Sequence, residues 1–143
     1  MKREAAVKFI GRVEKNTGGT ARISIFPKYK DALKGIGSFS HLIILYWLHL
    51  RDTEKDRRTL RVVPKRHRGA PEMGVFGTRS PSRPNPIGLS VVRLEKLESN
   101  LLTVRDLDAL EDTPIIDIKP YLPRADRRFK VKVPVWTEHG PAT

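Results

Sequence analysis

Strand signals dominate the pattern of apolar and polar positions along this chain. Ala5–Val13 and Thr20–Phe26 flank Asn16-Thr17-Gly18-Gly19, whose glycines accept positive φ at little cost, and the three segments together predict a hairpin. Pro27 suits a first helical turn and Gly35 a helix stop, so a short helix is expected through Leu33. His41–Leu50, HLIILYWLHL, is apolar on both faces and rich in Ile, Tyr and Trp, which predicts a strand buried on both sides. Thr59–Val63 reads as a short strand ended by Pro64. Leu89–Glu98 and Leu101–Asp106 read as two more joined by Ser99-Asn100, and Ile115–Lys119 as another between Pro114 and Pro120. Short strands with one helix and no βαβ alternation predict an all-β fold, a small antiparallel sheet or barrel.

Composition narrows the setting. The 143 residues suit one domain, and 28 Lys and Arg against 16 Asp and Glu give a formal charge of +12. Such an excess points to a polyanion, with nucleic acid first; the alternative is a surface laced with ion pairs. Without cysteine there is no disulfide and no thiolate metal site, which suits a reducing cytoplasm. Met1–Ile10 lacks the apolar core of a signal peptide, and the longest apolar run, Leu42–Leu48, is far shorter than the roughly 20 residues that span a bilayer, so no membrane association is expected.

Two segments carry candidate chemistry. In Gly74–Ser90, GVFGTRSPSRPNPIGLS, Pro81, Pro84 and Pro86 fix their own φ and restrain their predecessors, leaving Arg79, Arg83 and Asn85 as candidate fixed donors for carboxylate or phosphate. The other reading is a stiff surface connection with solvated arginines. No G-x-x-x-x-G-K-[ST] or G-x-G-x-x-G pattern occurs. Asp106, Asp108, Glu111, Asp112 and Asp117 form an acidic island in a basic chain, suited to accepting protons or ribose hydroxyls or to balancing a cation, or else simply to turns. His41, His49, His67 and His139 lack paired metal-ligand spacing, so no metal is expected. His49 is expected to line a pocket and His41 to be structural. The basic end, Arg124–Thr143, reads as a tail that orders on RNA or as a strand crossing to a partner subunit.

Three blocks, FSHLIILYWLHL at Phe39–Leu50, the Gly74–Ser90 loop and DALEDTPIIDIKPY at Asp108–Tyr121, closely resemble the TrmO family, also called YaeB or TsaA-like, of S-adenosylmethionine-dependent tRNA methyltransferases. The resemblance implies a small antiparallel β-barrel over residues 1–123, followed by a basic tail at 124–143, and a homodimer with cofactor near the subunit interface. It implies methylation of the exocyclic amine of threonylcarbamoyladenosine beside the anticodon. By position, the cofactor contacts it implies are His49, Leu50, Arg79, Leu89, Asp108, Ala109, Leu110 and Glu111. A carbamoylated amine is a poor nucleophile, so a base is expected to matter; Asp117 is the first candidate and Asp108 the second. Lys65, Arg66, Arg68, Arg83, Arg124, Arg127 and Arg128 are the expected RNA contacts. The chain departs from the family by lacking a P-x-Q loop early in the sequence and by placing Gly77 where alanine is usual. It also places Asp112 where glycine is common, which suggests an altered turn or local charge. A non-catalytic binder of the same fold, or a methyltransferase for another acceptor, is the alternative.

Overall fold

A computed structural model describes residues 1–141. Its strands are β1 Gly11–Thr17, β2 Thr20–Ile25, β3 His41–Trp47, β4 Arg61–Val62, β5 Met73–Gly74, β6 Ile87–Glu98, β7 Leu101–Arg105 and β8 Pro114–Pro120. Six of them form one antiparallel sheet in the order β1-β2-β7-β6-β3-β8. Gly11 and Arg12 of β1 pair with Ile115 and Pro114 of β8, which closes the sheet into a barrel. β4 and β5 form a separate two-stranded ribbon. Residues 1–49 and 87–122 make one compact unit containing the barrel; residues 50–86 and 123 onward make a second.

The barrel interior follows from strand alternation. Leu42, Ile44 and Tyr46 of β3 point inward and are buried, whereas Ile43, Leu45 and Trp47 are only half-buried. Inward residues of the other strands, among them Val13, Ile23, Ile25, Val92, Leu102, Val104 and Ile115, exclude water almost completely. Each such aliphatic side chain contributes about 1.5–3 kcal/mol relative to leaving it exposed. The strand predicted to be buried on both sides is thus buried on one, and it ends at Trp47. His49–Arg51 turns as a short 3₁₀ helix instead of extending the strand to Leu50.

Other boundaries move for identifiable reasons. Gly18 and Gly19 have φ of 60° and 81° and close the β1–β2 hairpin as expected. Strand β1 runs on through a bulge at Glu14 to polar Lys15 and Asn16 because β2 supplies partners in Arg22 and Ala21, while residues 5–9 stay outside the sheet. Only Ile10 is tied in, its N–H donating to the Ile115 carbonyl and its carbonyl accepting from Phe26. The predicted helix at Pro27–Leu33 is 3₁₀, with Leu33 alone buried. Two single-turn α-helices were not predicted, α1 Glu54–Arg57 and α2 Pro123–Asp126.

Candidate functional site

The acidic segment is a rigid loop on the barrel. Tyr46, pointing inward from β3, donates its hydroxyl to the Asp108 carbonyl at 2.7 Å. Its proton being spent there, the 3.1 Å contact to Ser90 Oγ has the serine of β6 as donor. Ser90 Oγ in turn accepts the Asp108 N–H at 3.2 Å. From β1, Asn16 Nδ2 donates to the carbonyls of Leu107 and Ala109 at 2.9 and 2.7 Å. Buried Leu107 anchors the loop, and the side chains of Asp108, Leu110 and Glu111 are left facing solvent.

The loop begins and ends on left-handed residues, Asp106 at φ 69° and Asp112 at φ 67°. The aspartate at position 112 therefore occupies the left-handed backbone region that favours glycine. Its charge is paired: Asp112 Oδ1 accepts from Arg12 at 3.0 Å, an exposed pair of small energetic weight.

Leu89 and Asp117 lie on the opposite, outward face of the same strands. Leu45 pairs with Leu89 on one side and Asp117 on the other, so Leu89, Leu45 and Asp117 form one row across β6, β3 and β8. Asp117 accepts a 2.9 Å bond from Lys119. That hydrogen bond, and then the attraction of the carboxylate charge, raises the Lys119 pKa and keeps the amine protonated. His49 is half-buried at the end of β3, and Leu50 is exposed.

The proline-rich loop belongs to the second unit and is held from within it. Thr53 caps α1, its Oγ1 accepting from the Asp56 N–H at 3.1 Å. Asp56 accepts from Ser82 Oγ at 2.6 Å, from Thr53 Oγ1 at 2.8 Å and from Arg51 at 3.4 Å. Arg57 Nε donates to the Pro84 carbonyl at 2.9 Å. Arg83 is also an internal clamp: Nη2 donates to the Val75 carbonyl at 2.6 Å, and both terminal nitrogens reach the Thr78 carbonyl at 3.1 Å. Its guanidinium is thus engaged by the loop that the sequence reading has it extending from toward RNA. Arg79 is exposed. The sequence reading missed Asp56, Arg57 and Ser82, because the bonds joining α1 to the loop span 26 and 27 residues and leave no local pattern.

The hydrogen bond from Ser82, reinforced by Thr53 and Arg51, holds the Asp56 carboxyl below the usual carboxylate range despite the opposing effect of desolvation. A depressed folded pKa contributes stability above the unfolded value, lost as pH falls through the folded one. Asp56→Asn is therefore expected to lower the melting temperature at pH 7 and to make no difference well below the carboxylate range. A melting series from pH 7 to 2 with an unchanging gap between variant and parent would refute the ionic role.

Lys65, Arg66 and Arg68 are exposed around the turn after β4, and Arg124 lies on exposed α2. Arg127 stacks over the Phe129 ring at 4.8 Å, and Arg128 donates to the carbonyls of Ala125 and Arg127. The C-terminal stretch, read from sequence as a tail, turns through a 3₁₀ helix at Val135–Glu138 within the second unit. His67 Nδ1 donates to the His139 carbonyl at 2.6 Å, and its ring meets Trp136 edge-on at 5.5 Å. Among the described residues no three His, Asp or Glu side chains gather as a cation site, and no helix is long and apolar enough to cross a membrane.

Residues 11–127 match the family model described as the tRNA-methyltransferase O N-terminal domain. The chain belongs to this family. It is 52% identical over 101 residues to a "Probable S-adenosyl-L-methionine-binding protein" of Methanothermobacter thermautotrophicus, covering 71% of this chain and 69% of that one. It is 46% identical over 100 residues to the "tRNA (adenine(37)-N6)-methyltransferase" of Escherichia coli, covering 67% of this chain and 42% of the relative. A crystal structure of TrmO from P. aeruginosa superposes with a TM-score of 0.72 at 27% identity, over 94% of this chain and 62% of that one. The chain thus spans less than two thirds of the E. coli protein and of that crystallised chain. Family membership agrees with the three sequence blocks, and S-adenosylmethionine is the cofactor in the name of the Methanothermobacter relative.

The loop suits that cofactor chemically. Exposed carboxylates at Asp108 and Glu111 can balance a sulfonium charge, exposed Leu110 offers apolar surface to an adenosyl group, and the Tyr46, Ser90 and Asn16 bonds hold the loop backbone in place before a ligand binds.

Proposed function

We propose that this chain is an S-adenosylmethionine-dependent tRNA methyltransferase whose acceptor is the exocyclic amine of threonylcarbamoyladenosine beside the anticodon. The observation that carries the reading is the hydrogen-bonded clamp of Tyr46, Ser90 and Asn16 on the loop that the resemblance assigns to cofactor. The cofactor contacts the resemblance implies are His49, Leu50, Arg79, Leu89 and Asp108–Glu111, and the guanidinium of Arg79 suits a carboxylate. S-adenosylmethionine supplies an electrophilic methyl group on a sulfonium. The chain's own part is to orient the acceptor and take its proton. Asp117 is the proposed base, its carboxylate accepting the 2.9 Å bond from Lys119, and Asp108 is the second candidate. Exposed cations at Lys65, Arg66, Arg68, Arg124, Arg127 and Arg128 serve RNA, in keeping with a net charge of +12. Ile87, Leu89 and Val91, 38–43% exposed along the outward face of β6, support a homodimer, and the cytoplasm is the setting where its tRNA substrate resides.

The decisive experiment incubates the protein with labelled cofactor and threonine tRNA carrying or lacking the threonylcarbamoyl group. Label is expected in the modified tRNA alone; label in neither would remove the reading. Asp117→Asn is expected to lower turnover by about 10²–10⁴. Cofactor should still raise the melting temperature of this variant, because binding to the native state does not need the base. Undiminished turnover would eliminate Asp117 as base. A non-catalytic binder is the second reading, favoured by the short route from β1 through the Gly18-Gly19 turn to β2, which leaves no room there for the family's early loop.

A further inference from the structure

The second unit encloses a cavity of about 780 Å³ whose character differs from that of the acidic loop. Four cationic side chains, Arg51, Lys65, Arg66 and Arg79, line it, and among the described residues no carboxylate does. Arg51 is paired with Asp56, and Arg79 is the arginine that the resemblance assigns to cofactor. Two aromatic side chains, Phe76 and Trp136, line it as well. Phe76 is 83% exposed and presents its ring to solvent. The volume lies within the range of small-molecule sites and accommodates a nucleotide.

The C-terminal stretch builds one wall, and the sequence is fitted to keep it there. Val133, Trp136 and Pro141 line the cavity. The His67–His139 bond and the His67–Trp136 ring contact tie this wall to the turn after β4. Gly140 has φ 94°, and a Cβ at this position would lie 2.2 Å from the Arg66 carbonyl oxygen, so only glycine allows the approach.

The charge of the lining decides what fits. The lining offers no carboxylate to face a sulfonium, whereas Lys65 and Arg66 attract a phosphodiester. Aromatic faces beside cations are the usual platform for unpaired bases. We propose that this cavity is an RNA-binding pocket that takes an unpaired nucleotide of the substrate, with its phosphate on Lys65 and Arg66 and its base against Phe76 and Trp136. The inference rests on the tRNA reading above and names the site through which it is met.

The chain has two tryptophans, so Trp47→Phe leaves Trp136 as the sole fluorescent reporter of the cavity. Titration of this variant with a tRNA is expected to quench Trp136 emission, while poly-glutamate of matched charge leaves it unchanged. Phe76→Ala, at an exposed position where melting should confirm an intact fold, is expected to weaken tRNA binding about tenfold and to leave S-adenosylmethionine affinity unaltered. Arg66→Gln is expected to reduce the slope of log affinity against log salt by about 1. Equal quenching by poly-glutamate would make the cavity a protein or general polyanion site, and a loss of cofactor affinity in Phe76→Ala would make it a cofactor site; either overturns the proposal. If tRNA quenches Trp136 and Phe76→Ala weakens it, yet no methyl is transferred, the pocket stands and the methyltransferase reading falls. If methyl is transferred while Phe76→Ala leaves tRNA affinity and emission unchanged, the pocket falls and that reading stands.

Discussion

Gly88→Ala is expected to lower the unfolding free energy by about 1–3 kcal/mol and to weaken cofactor binding well beyond what that loss alone would cause. A Cβ at Gly88 would lie 2.3–2.8 Å from three carbons of the Tyr46 ring, its cross-strand partner on β3. The ring is 3% exposed and surrounded by the barrel core, so it cannot swing aside without displacing its neighbours. Moving it withdraws the hydroxyl from Asp108 and Ser90 and frees the loop that carries Asp108 and Glu111. Tyr46→Phe separates the two effects. It keeps the packing and removes the hydroxyl, so it should cost about 1–2 kcal/mol and reproduce much of the binding defect. Denaturant unfolding and calorimetric titration with S-adenosylmethionine measure both. Wild-type affinity in Tyr46→Phe would show that the clamp does not organise the cofactor loop.

Arg83→Ala is the second large effect expected, and its form separates a structural arginine from an RNA contact. The guanidinium satisfies the carbonyls of Val75 and Thr78 with charge-assisted bonds, each worth about 1.5–3 kcal/mol in a protected setting and less where, as here, burial is partial. A net loss of about 2 kcal/mol is expected, accompanied by faster proteolysis of the loop around Arg79. Lys at this position cannot span both carbonyls with a planar fork and should restore little. An RNA contact would behave otherwise: affinity for tRNA would fall with its salt dependence while the melting temperature stayed put. That second outcome would return Arg83 to the RNA face.

The barrel was legible where strand partners are local in sequence. Strands β6 and β7 are joined at Ser99-Asn100, and β1 and β2 at Gly18-Gly19, so turn chemistry and alternation announce both hairpins. The N-terminal strand was misplaced because alternation at Ala5–Ile10 says nothing about whether a neighbour exists to pair with it; none does until Ile10. Thr59–Val63 was legible as a strand, which β4 forms in part, but the bonding of α1 to the proline-rich loop was not, since it comes from side chains rather than from a periodic apolar face. The candidate loop was legible as chemistry, a carboxylate cluster in a basic chain. Its rigidity was not, because Asn16 and Tyr46 lie 93 and 62 residues from the carbonyls they hold. Asp112 shows the same limit from the other side, since an aspartate in a glycine position gives no sign that it takes the left-handed conformation.

The pairing of Tyr46 with Gly88 also bears on how errors in folding are punished. Along β6 the side chains alternate between duties: Ser90 faces inward to hold the loop, and Leu89 faces outward, where the resemblance puts a cofactor contact. A slip of one residue against β3 would exchange the two sets and set a bulkier side chain against the Tyr46 ring. A misregistered barrel could therefore accumulate as a compact but inert species, never as a partly active one. Active-site titration of a refolded preparation would then count correctly paired molecules.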